Sequence, residues 1–183
     1  MWSYSNQPFF NLPMLGTGRS RSISPENMTG DKGGGGRAIE GTGKQAARDL
    51  GQGWKVSPSI VIRSVETAVL ADISGSGMVQ HFWITTHQQH WRSLILEMFW
   101  DGESNPSVRV PLGDFFCHGW SEPAGLQSLM VAVNPRGGFN SYWPMSFRDH
   151  ARIVLSNVGS SPITRLNRSW SLRFFDPLKI DCS

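Results

Sequence analysis

The rhythm of apolar and polar positions changes near Trp54. From there to about Asn167, short apolar or alternating runs occupy 60–62, 67–70, 79–85, 93–100, 107–110, 129–133, 141–143 and 151–155. Side chains that alternate with a period of two line the two faces of a strand, so each run predicts a β-strand. Turn signals separate them: Gly75-Ser76-Gly77, Asp101-Gly102, Asn134-Pro135 and Asn157-Val158-Gly159. Asp101-Gly102 between two runs predicts a tight hairpin turn, because both central residues of that turn need positive φ. Many short strands at this spacing, with almost no helical periodicity, predict an all-β fold: an antiparallel jelly-roll β-sandwich.

Residues 15–53 read differently. They hold five strongly apolar side chains (Leu15, Ile23, Met28, Ile39, Leu50) and eleven of the 20 glycines. Such a segment cannot bury enough apolar surface to make a core, so it is a long loop laid over something else, or disordered. One short helix is expected inside it. Thr42 would cap the amide three residues on, Gln45 would reach back, and Gly51 would end it. The run 165–177 lacks clean alternation and carries several large apolar groups that would have to dock. The expected division is therefore a glycine-rich extended segment over 1–53, the sandwich over 54–167, and an atypical tail over 168–183.

Composition narrows the function classes. There are 17 Lys+Arg and 14 Asp+Glu, 17% charged residues, where a globular domain carries about 25%. A coiled coil or a charged disordered tail needs far more charge. The net charge of +3 is too small to imply nucleic acid. No run of about 18 apolar residues suggests a membrane partner. The opening Met1-Trp2-Ser3-Tyr4 has no basic region followed by an apolar one, which leads to a cytoplasmic expectation. Cys117 and Cys182 make neither a disulfide framework nor a zinc ribbon.

Several candidate chemistries can be weighed on spacing. Gly43-Lys44 is followed by Gln45 and lacks the upstream glycine of a phosphate-binding loop. Gly41-Thr42-Gly43-Lys44-Gln45-Ala46 fits the loose dinucleotide pattern, but no strand precedes it. No cofactor is expected. The glycine run over 33–36 is either a flexible surface loop or backbone held close to a ligand or another chain. His81, His87, His90 and the Cys117-His118 pair are the metal candidates; His87 and His90 fall between two strand runs and read as a solvated loop, and no metal is expected. Cys117 and His118, adjacent on the chain, point to opposite faces of an extended segment. Among the acids, Asp101 and Glu103 read as turn chemistry and Asp114 as a backbone partner, with Glu40 in the glycine segment. Trp83, Trp91, Trp100, Trp120, Tyr142 and Trp143 are either core or platforms for sugar rings. The stretch 139–145 mixes aromatics with Asn, Ser and Pro, which suits a strand leading to a site rim.

Longer strings carry a resemblance. Arg19-Ser20-Arg21-Ser22-Ile23-Ser24-Pro25-Glu26-Asn27, Gly33-Gly34-Gly35-Gly36-Arg37-Ala38 and Ala47-Arg48-Asp49-Leu50-Gly51-Gln52-Gly53-Trp54 resemble the domain-of-unknown-function 2961 proteins, grouped as glycoside hydrolase family 172. So do Leu70-Ala71-Asp72-Ile73, Trp100-Asp101-Gly102-Glu103, Val110-Pro111-Leu112-Gly113-Asp114 and Gly137-Gly138-Phe139-Asn140-Ser141-Tyr142-Trp143-Pro144-Met145. The resemblance implies two jelly rolls in tandem, homo-oligomers such as trimers or hexamers, and a furanoside or oligosaccharide substrate of fructofuranoside or arabinofuranoside type. It also implies retention of configuration by two glutamates, without a metal, from the second part of the fold. On that comparison the chain is expected to be a truncated or frameshifted member carrying the first jelly roll, inactive alone. The alternative is a non-catalytic carbohydrate-binding or assembly module. The residues expected to bind substrate are Arg37, Glu40 and Trp54, with Asn140, Tyr142 and Trp143; the catalytic residues are left unassigned.

Overall fold

The structure is a computed structural model that describes residues 19–50, 52–54, 56–57, 59–134, 136–163 and 171–176. In chain order its elements are β1 (Arg19–Ile23), α1 (Lys44–Ala47), β2 (Thr67–Ser74), β3 (Gly77–Thr85), β4 (Leu94–Trp100) and β5 (Val108–Pro111). There follow α2 (Leu112–Phe115), β6 (Leu126–Gln127), β7 (Val131–Asn134), β8 (Gly138–Ser141), β9 (Met145–Phe147), β10 (His150–Asn157) and β11 (Ser171–Asp176).

Among the described residues two antiparallel sheets form. One has four strands in the order β2-β10-β4-β5; the other has seven, along β1-β11-β3-β8-β7-β6 with β9 also on β3. The quartets β2-β10-β4-β5 and β1-β11-β3-β8 are the two interleaved halves of a jelly roll, in which strands change sheet as the chain proceeds. The fold class read from the pattern is therefore the observed one. β1 comes from the glycine-rich segment and β11 from the C-terminal run, and both pair into the larger sheet. Cys182 and residues 165–170 lie outside the described residues.

Alternation dictates which faces meet. On β4, Leu94, Leu96 and Met98 are buried while Ile95, Glu97 and Phe99 are less so. On β3, Phe82 and Ile84 are buried and His81 and Trp83 take the other face. These inward rows join Leu70, Val133, Ile153 and Leu155 in one core between the sheets. Trp91 is the largest side chain in it, and its indole Nε1 donates to the Thr86 carbonyl at 3.2 Å. Phe139 lies 5.0 Å from Trp91 and stacks on Phe116 at 4.8 Å and 7°. The Gly137 turn, with φ +80, closes against that indole.

Some local expectations change. Thr42 does not cap α1: Gly43 stands at its N-cap with no side-chain hydrogen bond, and the Thr42 hydroxyl instead meets that of Ser59 at 2.6 Å. A second one-turn helix, α2, follows β5 directly and was not foreseen. The run 60–62 contributes a single bridge, Ile62 to Ile163. The strand expected at 141–143 falls earlier, at Gly138–Ser141, because Phe139 turns inward while Tyr142 and Trp143 are exposed. Asp101 and Gly102 do make a tight turn, both with positive φ.

Candidate functional site

The glycine segment is held in place by two side chains and by close backbone approaches. The Glu26 carboxylate accepts the Gly36 amide at 3.1 Å and, through its other oxygen, the Ser57 amide. Asn27 joins β1 to the loop: its Nδ2 donates to the Ser22 carbonyl at 3.3 Å and the Asp31 carbonyl at 3.0 Å. Its Oδ1 accepts the Asp31 amide at 3.1 Å. A Cβ on Gly36 would lie 2.7 Å from the Gly53 carbonyl, and one on Gly41 2.4 Å from the Ser57 Cβ. Glycine is required there because chain passes against chain. Between β1 and this loop lies a cleft of about 860 Å³, lined by Arg19, Arg21, Asn27, Lys32, Gly33 and Gly35 among others.

The expected binders from this segment are dispersed. Glu40 pairs with Lys44 one helical turn on, at the surface. Arg37 lies with its guanidinium against Gly33, and its carbonyl accepts the Gln52 side chain at 3.3 Å. Trp54 is 56% exposed. Among the described residues no hydrogen bond or ion pair joins Arg37, Glu40 and Trp54 to one another.

Asn140 and Tyr142 do come together, through a residue outside the expected set. His81, on the outer face of β3, places Nε2 3.2 Å from Asn140 Oδ1 and stacks on the Tyr142 ring at 5.0 Å and 19°. The Asn140 Nδ2 donates to the carbonyls of Ala132 and Gly138, both at 3.3 Å, so its oxygen faces His81 and the imidazole Nε2 carries the proton there. The Tyr142 amide donates to the Met130 carbonyl at 2.8 Å. Tyr142 is 45% exposed and Trp143 47%. One face of the Tyr142 ring is covered by His81, and the pair makes a fixed aromatic surface on the outside of the larger sheet. Its sequence signal is the outward position of His81 between buried Val79 and Phe82.

Several acids among the described residues hold the fold. Asp101 Oδ1 accepts the amides of Arg148 at 2.8 Å, Asp149 at 2.9 Å and His150 at 3.3 Å. The amides of Asp149 and Arg148 hold its carboxyl below the usual carboxylate range. Asp114 binds the Arg92 guanidinium through both oxygens at 2.9 Å, not a backbone group as expected. The same guanidinium donates to the Gly119 carbonyl at 3.0 Å. Asp72 faces His150 at 2.6 Å, Glu97 faces Arg109 at 3.4 Å, and Glu103 accepts the Ser107 hydroxyl at 3.2 Å.

The histidines and cysteine outside the aromatic surface have other settings. His87 and His90 lie at the ends of a short 3-10 turn, and burial, then His87, holds His90 below the ordinary histidine value. His118 is buried, its two ring nitrogens 2.9 Å and 3.0 Å from the carbonyls of Phe116 and Ala124, while Cys117 is exposed. Among the described residues no group of three or more His, Cys, Asp or Glu converges as a metal site, and no helix is long and apolar enough to cross a membrane.

Comparison with known families adds one match. The family model described as GH172 domain-like covers residues 54–168, more than half of the chain. No curated protein matches the chain.

Proposed function

The chain belongs to the GH172 domain-like family, related to glycoside hydrolases, and from that premise we propose that this jelly roll holds a furanose-containing saccharide on its outer face. The substrate class is fructofuranoside or arabinofuranoside. Tyr142, backed by His81, offers its open face to the apolar side of a sugar ring, and Trp143 extends the surface. Aromatic rings are suited to this because they present broad apolar area at little conformational cost.

The observation that supports binding rather than cleavage by these residues is the use made of the acids. A glycosidase needs two carboxyl groups about 5–10 Å apart and free to exchange protons with substrate. Asp72, Glu97, Asp101 and Asp114 are each committed to a cation, to the His150 imidazole or to backbone amides. The cleaving acids would therefore be residues other than these.

Calorimetric titration with inulin-type and arabinan-type oligosaccharides tests the reading, with maltose oligosaccharides as the pyranose control. Tyr142→Ala and Trp143→Ala should each weaken furanoside binding about 10-fold or more, the equivalent of about 1.4 kcal/mol. Melting temperatures should hold, since surface substitutions typically change stability by within about 0.5 kcal/mol. Equal affinity in the variants, or no furanoside binding by the parent, would refute it. Turnover of a p-nitrophenyl furanoside that is lost in Glu40→Gln would replace binding with catalysis.

A second reading, a homo-oligomeric assembly module, draws support from Ile39, Leu50 and Trp54, each at least half exposed on the glycine segment. Light scattering on the purified chain separates a trimer or hexamer from a monomer.

A further inference from the structure

The cleft beside β1 has a chemistry that a neutral sugar does not require. Strand alternation puts Arg19 and Arg21 on the same face as Ile23. Ile23 is buried, whereas Arg19 is exposed at the cleft. Lys32 faces them from the glycine segment. One acid, Asp31, is on the lining, and its Oδ2 already accepts the Thr29 hydroxyl at 2.6 Å. Among the described residues neither Arg19 nor Lys32 has an ion-pair partner. Arg21 has an interaction of its own and adds proximity of charge.

Two further observations concern the walls. Asn27 ties β1 to the loop by bonds to Ser22 and Asp31, so the cleft is spanned by a fixed strut rather than closed by collapse. Gly35 is a glycine without a packing reason. Its φ is not positive, and a Cβ there would meet nothing within 4 Å, unlike Gly34, whose Cβ would lie 2.5 Å from Asn27 Oδ1. A bare backbone on a cationic wall leaves room for a ligand and an amide to meet it.

We propose that this cleft binds an oxyanion-bearing saccharide, with its phosphate, sulfate or carboxylate group between Arg19 and Lys32 and against the backbone at Gly35. Charge-assisted hydrogen bonds from guanidinium and ammonium groups are among the stronger polar contacts. The cleft is distinct from the Tyr142 surface, since β11 and β3 lie between β1 and β8 in the sheet. Inward-facing arginines also guard sheet edges against pairing, but that role makes no demand on Lys32 or Gly35.

The test uses the full chain and three anions, inorganic phosphate, fructose 6-phosphate and an oligogalacturonate, with a neutral fructo-oligosaccharide as control. Titration in low-salt buffer should show saturable binding of at least one anion, weakened about 10-fold in roughly 0.5 M NaCl, where screening is nearly complete beyond about 4 Å. The tighter of the two saccharides identifies which anionic group is natural. Arg19→Gln with Lys32→Gln should lower anion affinity about 10-fold or more. Gly35→Ala should lower it several-fold with an unchanged melting temperature, because it fills the cleft without touching the fold. Binding of the neutral control stays as in the parent in all of these, so failure of the furanoside reading and failure of this one are separable. Absence of anion binding at low salt, or anion affinity unaltered in the Arg19/Lys32 double variant, would overturn the proposal.

Discussion

Replacing Gly137 by Ala tests the packing that positions the aromatic surface. Gly137 has φ +80 and closes the turn between β7 and β8, donating its amide to the Asn134 carbonyl at 2.9 Å. An added Cβ would sit 2.5 Å from Trp91 Cζ2 and 3.2 Å from its Cε2. Two costs follow. A side chain held in the left-handed region costs roughly 1–2 kcal/mol, and overpacking a fixed core ring costs typically 1–3 kcal/mol. Trp91 cannot retreat cheaply, because its other surfaces meet Phe139 and His118 and its Nε1 is bonded to Thr86. The expected loss is about 2–5 kcal/mol, a large share of the roughly 5–15 kcal/mol that holds a domain folded. At about 2–4 °C per kcal/mol for a chain of this size, the midpoint should fall by roughly 4–20 °C. Gly75→Ala is the control: its φ is +92, yet nothing lies within 4 Å of the added atom. It carries the backbone cost alone, and both variants gain the same unfolded-state entropy benefit. Calorimetry of the two, with near-ultraviolet circular dichroism to follow the indole, isolates the steric part. If Gly137→Ala melts no lower than Gly75→Ala, the turn does not press on Trp91 and the packing account is wrong.

Two other outcomes follow from the carboxylates. Asp101 has its folded pKa depressed by backbone amides, so its stabilisation is present above the ordinary value of about 3.9 and is lost as pH falls through the folded value. Melting curves from pH 7 down to pH 2.5 should show Asp101→Asn well below the parent at neutral pH and the two converging in acid; a constant gap would contradict this. Glu26→Gln removes the charge of the strut between Gly36 and Ser57 and replaces one of its two acceptor oxygens by an amide nitrogen that cannot accept. At about 1–3 kcal/mol for bonds to a charged group, hydrogen exchange at those two amides should quicken about 10-fold or more, while amides of β4 and β10 keep their protection.

The strands that alternate cleanly were legible in the sequence. β4 shows Leu94, Leu96 and Met98 against Glu97, and the Asp101-Gly102 turn follows from backbone requirements that few residues meet. β1 was not legible as a strand, because Arg19 and Arg21 share the face of buried Ile23 and hide the alternation. The aromatic surface was partly legible: Tyr142 and Trp143 stand among Asn, Ser and Pro, which do not belong in a core. His81 stood out only as a metal candidate, and its place in this surface was missed because its partner Asn140 is 59 positions away and only the pairing of β3 with β8 brings them together. The cleft was invisible for a like reason, since the loop that closes it is placed by Glu26 and Asn27 rather than by any periodic pattern. Thr42 had the right chemistry for a cap and found a hydroxyl partner instead.

The place of β11 sets an order for assembly. Among the described residues β1 pairs with β11 and with no other strand, and its register joins Ile23 to Leu172, 149 positions later (172 minus 23). A chain leaving the ribosome N-terminus first therefore carries β1 unpaired through the synthesis of the other described strands. Closing so long a loop adds little free energy, since the cost grows only logarithmically, but it makes pairing slow and leaves an open edge exposed meanwhile. The polar spelling of β1, arginine and serine up to Ile23, is well suited to that wait. The pairing of β1 with β11 is then among the last contacts to form, and pulse-labelling of nascent chains should find the β1 amides unprotected until residues 171–176 have left the ribosome.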